Sequence, residues 1–160
     1  MERITDTHVF FWGSFLSNWH ASKFEYKGKK FSNTEQAFMW EKAIYFNDNE
    51  IAEDILKTPD PKNAKDLGRL VKNFNQNLWF NVCFEIMIEV NKAKYSQNEK
   101  LKKLLLSTGD KVIVEASPFD AIWGIGLHWK DDKVLDEKLW KGMNLLGKAL
   151  MEVRNTLKDG

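Results

Sequence analysis

Thr34-Glu35-Gln36-Ala37-Phe38-Met39-Trp40-Glu41-Lys42 is the stretch from which the rest of the chain can be read. At 3.6 residues per turn, positions 35, 38, 39, 42 and 46 share one helical stripe. Phe38, Met39 and Phe46 are what a core-facing stripe holds. Glu35 and Lys42 are not, because proteins seldom bury these residue types without a partner or a chemical task. Two turns, roughly 10 Å, separate them along the axis, too far for the direct pairing of an i,i+4 couple. Both can still reach one small ligand lying across the helix. The structural alternative is plain: lysine stems run along apolar surface, and a first-turn glutamate complements the helix dipole.

Outward from this helix, Asn33 or Thr34 is the expected cap and Phe46 the expected end. On the N-terminal side, His8 to Trp12 and Phe24 to Phe31 read as short aromatic-rich strands, with Lys27-Gly28 as a hairpin turn. On the other side, Asn49 to Thr58 reads as a second helix ended by Pro59. Asp60-Pro61 pairs a cap with a first-position proline and opens a third helix through Leu67 and Val71. Leu78 to Tyr95 is the longest periodic segment, followed by an amphipathic Asn98 to Ser107 with Leu101, Leu104 and Leu105 on one face. Lys111 to Glu115 is β-branched and alternating, a strand ended by Ser117-Pro118. Met143 to Leu157 closes as a helix. The expected fold is therefore α+β: a single domain over residues 1–160, mainly helical, with a small antiparallel sheet and no βαβ alternation.

The chain has 160 residues, 43% of them hydrophobic, enough for one ordinary core. Seven tryptophans and eleven phenylalanines suit both a core and stacking on a planar heterocycle. With 24 basic and 23 acidic residues, no net field draws the chain to nucleic acid or membrane. The single cysteine, Cys83, fits a reducing compartment and a packing role. The first residues, Met1 to Asp6, lack a signal region, and no apolar run approaches 18 residues, so a cytoplasmic protein is expected. His8, His20 and His128 show no ligand spacing, which argues against a zinc site. No cofactor is called for.

A second constellation lies at Asp120-Ala121-Ile122-Trp123-Gly124-Ile125-Gly126. Two glycines around one residue after a tryptophan mark a backbone that turns sharply and comes close to something. Asp120 is placed to accept hydrogen bonds from ribose hydroxyls or a base edge; equally, it is an N-cap beside a core tryptophan. Trp140-Lys141-Gly142-Met143-Asn144-Leu145-Leu146-Gly147 is a third cluster, in which close helix packing is a sufficient reading for Gly147.

Taken together, these segments resemble a known family. Leu16-Ser17-Asn18-Trp19, Thr34-Glu35 with Lys42, Gly68-Arg69, Trp79, Lys94-Tyr95, Leu104 to Asp110, Glu115, Asp120, Trp123-Gly124-x-Gly126, Asn144-x-x-Gly147 and Leu150-Met151-x-Val153-Arg154 match the YbiA-like, or NADAR, domain in order and spacing from about residue 9 to 157. The resemblance implies an N-glycosidase that cleaves the bond between a ribose anomeric carbon and a nitrogen. The implied substrates are ribosylamino pyrimidine phosphates of riboflavin biosynthesis or ADP-ribose attached to guanine in nucleic acid. It carries over Glu35 and Lys42 as catalytic positions, the lysine forming a Schiff base with the opened sugar. It also makes the Trp123-Gly124-x-Gly126 loop and the Asn144 segment part of the substrate pocket.

The residues suit that chemistry. Breaking an N-ribosyl bond builds positive charge on the sugar, so Glu35 serves as stabiliser of the cation or as base for water. Lys42 is a nucleophile only with a lowered pKa, which desolvation by Phe38, Met39 and Phe46 would supply. Asn18, Asp120 and Asn144 are the expected hydrogen-bonding groups and Trp123 a stacking wall. Arg69, and more weakly Lys72, are expected on phosphate. Each has a structural alternative: a turn for Asn18, core for Trp123, a solvated helix surface for Arg69. Gln36-Ala37 and Met39-Trp40-Glu41 depart from the family's usual residues, and so do the apolar Ile125 and Leu127. These changes bear on the substrate more than on the reaction. A module that binds ADP-ribose or a nucleotide without cleaving it is the alternative, but such a module has no need of a nucleophile. An aromatic partner-binding surface is a third reading.

Overall fold

Asn33, rather than Thr34, caps the helix read above: its Oδ1 accepts the N–H of Gln36 at 2.8 Å. The helix, α1, runs Thr34–Tyr45. The computed structural model describes residues 1–159, and contacts divide them into two units, Asn18–Glu99 and Met1–Ser17 together with the chain from Lys100 onward.

In the Asn18–Glu99 unit, β1 (Phe24–Tyr26) and β2 (Lys29–Phe31) pair antiparallel as the expected hairpin, with Phe24 opposite Phe31. Lys27 and Gly28 both take left-handed backbone, φ +51° and +76°, the turn that matches strand twist. After α1 come α2 (Asn49–Leu56), α3 (Pro61–Gly68) and α4 (Gln76–Ser96). Asp60 caps α3 through the N–H groups of Lys62 and Asn63, as its sequence promised. The helix stops three residues short of Val71 because Asp48, the cap of α2, also accepts the N–H of Lys72 at 2.9 Å and draws the chain away. α1 packs on α2, α3 and α4, so it is buried nearly all round instead of along one stripe. Gly68 makes the α3 contact possible, since a Cβ there would overlap the Met39 side chain.

The polar residues on the far side of α1 are consumed by this central position. Gln36 Nε2 donates to Ile55 O at 2.9 Å and its Oε1 accepts from Ser32 N at 2.8 Å, tying α1 to the end of α2 and to the hairpin. Asn33 Nδ2 donates to Pro59 O at 2.8 Å. Glu41 meets Lys27 Nζ of the hairpin turn at 2.9 Å, and Trp40 packs on Phe31 and Tyr26.

The other unit holds a three-stranded sheet. Glu2–Ile4 (β3) pairs antiparallel with His8–Phe11 (β4), and β4 pairs parallel with Val112–Glu115 (β5). The small sheet expected to be antiparallel is thus mixed. Its parallel pair joins strands a hundred residues apart, which only a long crossover allows and which local patterning cannot register. α5 (Glu99–Leu106) precedes β5, and α6 (Leu145–Lys158) packs on it. Two 3₁₀ turns, Asp132–Leu135 and Glu137–Leu139, lie in a stretch without readable periodicity. The core gathers Phe10, Val114, Ala116, Ile125, Leu127 and Val134. Arg154 is buried and donates to Thr108 Oγ1 and Lys111 O, pinning α6 to the turn before β5.

Candidate active site

Within the Asn18–Glu99 unit, the fold of α1 delivers Glu35 and Lys42 to one face. Glu35 is buried in the first turn, and its N–H donates to the carbonyl of Asn18 at 3.0 Å, which lays the Asn18 segment over the start of the helix. Lys42 lies two turns on and is half-buried. Its Nζ stands 4.5 Å from the centre of the Phe74 ring. Burial lowers the Lys42 pKa, Glu35 opposes that shift by its negative charge, and the Arg69 guanidinium lowers it further. The amine is thus poised closer to its neutral, nucleophilic form than a solvated lysine is.

Phe74 is the residue that sequence reading missed. It follows Asn73, which is left-handed at φ +62°, and precedes Asn75, whose Oδ1 caps α4 by accepting Leu78 N–H at 3.0 Å. Those two neighbours fix where the ring points. No periodicity marks it, since it sits in the connection between α3 and α4. The only local signal is an aromatic residue between two asparagines. Around it an aromatic wall forms: Phe46 against Phe74 at 5.4 Å, Phe46 against Trp79 at 6.2 Å and Phe38 against Trp79 at 5.2 Å. Phe74 remains 44% exposed, so the wall presents a ring face beside the amine.

Arg69 ends α3 with its side chain mostly exposed, 4.0 Å from Asp66, and close enough to act on Lys42. Lys72 is likewise exposed. Asn18 is buried, and its side-chain Oδ1 has no hydrogen-bond partner. The structure therefore brings Asn18, Glu35, Lys42 and Arg69 into one unit.

Asp120, Trp123, Gly124, Gly126 and Asn144 form a separate frame in the other unit. Asp120 Oδ1 accepts the N–H groups of Ile122 and Trp123 at 2.9 and 2.8 Å, and its carbonyl accepts Gly126 N–H at 3.1 Å. A Cβ on Gly124 would stand 2.9 Å from the carbonyl oxygens of Asp120 and Glu115, and Gly126 is left-handed at φ +71°. The glycines are thus required by the turn itself. Asn144 is buried and left-handed; its Oδ1 accepts Glu115 N–H and its Nδ2 donates to Ile113 O, both at 3.0 Å. Its amide clamps the edge of β5, a structural task beside the ligand-binding one expected of it.

Among the described residues, no group of three His, Cys, Asp or Glu side chains is placed to hold a metal, and no helix is long and apolar enough to cross a membrane. Cys83 is buried, and burial raises its thiol pKa.

Comparison with known proteins gives this arrangement its lineage. The model of the NADAR domain matches residues 10–158. The chain belongs to the NADAR family. Among its NADAR relatives, the N-glycosidase R617 of Acanthamoeba polyphaga mimivirus is 42% identical over 163 residues, covering 94% of this chain and 96% of that one. The N-glycosidase YbiA of Escherichia coli strain K12 is 32% identical over 89% of this chain and 80% of its own. A solved NADAR relative, the NMR structure of E. coli YbiA, superposes with a TM-score of 0.79 at 29% identity, over 98% of this chain and 88% of that one. The α+β, mainly helical fold read from the sequence is the fold of this NADAR chain.

Proposed function

We propose that this NADAR protein is an N-glycosidase, a hydrolase of the bond between a ribose anomeric carbon and a base nitrogen, with Glu35 and Lys42 as its reacting groups. The observation that carries this reading is the half-buried Lys42 amine over the Phe74 ring, its pKa lowered, on the same helix as a buried glutamate. A pure binding module has no use for that arrangement. Relatives of this chain are named N-glycosidases, and one 29% identical relative is named a riboflavin biosynthesis protein.

In the proposed reaction the free amine of Lys42 attacks the anomeric carbon. The C–N electron pair leaves with the base nitrogen, which takes a proton, and the sugar opens to an imine that water hydrolyses. Glu35 stabilises the cationic sugar or accepts a proton from water. The substrate is a nucleotide-like molecule: ADP-ribose on guanine in nucleic acid, or a ribosylamino pyrimidine phosphate. Asn18 is assigned to hydrogen bonding and Arg69 to phosphate, which its planar fork matches. Asp120, Trp123, Gly124, Gly126 and Asn144 are assigned to substrate binding on the family resemblance, their loop being held in shape as described.

The test is base release from both substrate classes by the wild type, Lys42→Arg and Glu35→Gln. Arginine keeps the charge and cannot form an imine, so Lys42→Arg is expected to lose at least about 100-fold in kcat. Wild-type turnover by Lys42→Arg would contradict the covalent role. Release of neither base by the wild type would contradict the hydrolase.

A further inference from the structure

Two buried polar atoms at the start of α1 have no hydrogen-bond partner: Asn18 Oδ1 and Thr34 Oγ1. Asn18 is 9% exposed and Thr34 fully enclosed. Folded proteins seldom leave such atoms unpaired, because each forfeits its bonds to water without recovering them, and the exceptions cluster where a ligand or an ordered water belongs. Thr34 is the opening residue of α1, and the Asn18 carbonyl accepts the N–H of Glu35, the next residue along. The neighbouring polar side chains at this helix start are occupied elsewhere: Asn33 by Gln36 N and Pro59 O, and Gln36 by Ser32 N and Ile55 O. An amide oxygen accepts, a hydroxyl donates or accepts and a carboxylate accepts, which are the kinds of partner a bound water uses.

We propose that Asn18 and Thr34 are positioning residues for the water consumed in hydrolysis, held beside Glu35. This rests on the hydrolase reading and adds to it the place of the water that hydrolyses the Lys42 imine. The water oxygen bonds to the anomeric carbon of the Lys42 imine and one of its protons passes to the Glu35 carboxylate. The electron pair of the sugar–lysine C–N bond then returns to the Lys42 nitrogen, which takes that proton from Glu35, and the sugar leaves as the free aldehyde. Thr34 acts through its hydroxyl, so serine can replace it and valine cannot.

Two measurements test the assignment. A crystal structure of the unliganded protein is expected to show an ordered water about 2.7–3.2 Å from both Asn18 Oδ1 and Thr34 Oγ1, and its absence from both atoms overturns the proposal. In kinetics with added methanol, hydrolysis and methyl glycoside formation compete. Thr34→Val is expected to lower kcat for hydrolysis about 100-fold, the scale on which misplacing a reacting group acts, with KM unchanged. It is also expected to raise the ratio of methyl glycoside to free sugar, while Thr34→Ser stays within a few-fold of wild type. Asn18→Ala, which keeps the backbone bond to Glu35, is expected to shift the same ratio and stands in if Thr34→Val folds poorly. An unchanged ratio in both variants, with the wild type active, overturns this inference and leaves the hydrolase standing. Absence of base release by the wild type overturns both.

Discussion

Lys42 is proposed as the reacting amine because of its surroundings more than its identity. The amine is kept below its ordinary pKa first by burial and then by the Arg69 charge, against the pull of Glu35. In the proposed reaction the neutral amine is the nucleophile, so the rate is expected to rise with pH until the folded Lys42 pKa is passed. Phe74 forms the wall above the amine, so Phe74→Ala admits water, raises that pKa and moves the rising limb to higher pH. A pH profile of kcat/KM checks this; a limb that stays in place would show that Phe74 does not govern the lysine. The placement of Glu35 and Lys42 on one face of α1 was legible in sequence because charged residues on an otherwise apolar stripe contradict the pattern around them. Phe74 was not, because a ring in a connection contradicts nothing.

At the level of elements, α1 is a central helix tied to its neighbours through Gln36 and Glu41. Gln36 acts as a clamp between the end of α2 and Ser32. Gln36→Leu leaves the Ser32 N–H and the Ile55 carbonyl without those partners, and at about 1–3 kcal/mol for each group left unpaired a loss of about 2–6 kcal/mol in unfolding free energy is expected. Urea denaturation checks it; a loss below about 1 kcal/mol would mean that the clamp contributes little. Caps and turns were the most readable parts of the elements, since Asn33, Asp60 and the Lys27-Gly28 pair act through local geometry. The parallel β4–β5 pairing and the early end of α3 were unreadable, because each is set by a partner distant in sequence.

For the whole molecule, the buried Lys94 sets a pH dependence of stability. Burial brings its pKa down to about 7, against an ordinary lysine value near about 10.4. Between those values the unfolded chain binds more protons than the folded one, so stability rises with pH across that window, and the full penalty is felt below pH 7. Lys94→Met removes the linkage. Its melting temperature is expected to gain less than that of the wild type between pH 7 and 9.5, and equal gains would contradict a neutral buried amine. This lysine was visible in the sequence only as part of a family pattern. Its enclosure on all sides depends on packing that one dimension does not show.

The central claim is covalent chemistry at Lys42, and trapping tests it most directly. The purified protein is incubated with ADP-ribosylated guanine or, separately, a ribosylamino pyrimidine phosphate, in the presence of borohydride, and its intact mass is read while free base is followed. The expected result is base release with a reduced sugar adduct that maps to Lys42 and is absent from Lys42→Arg. Base release with no adduct, or an adduct on another residue, would contradict it.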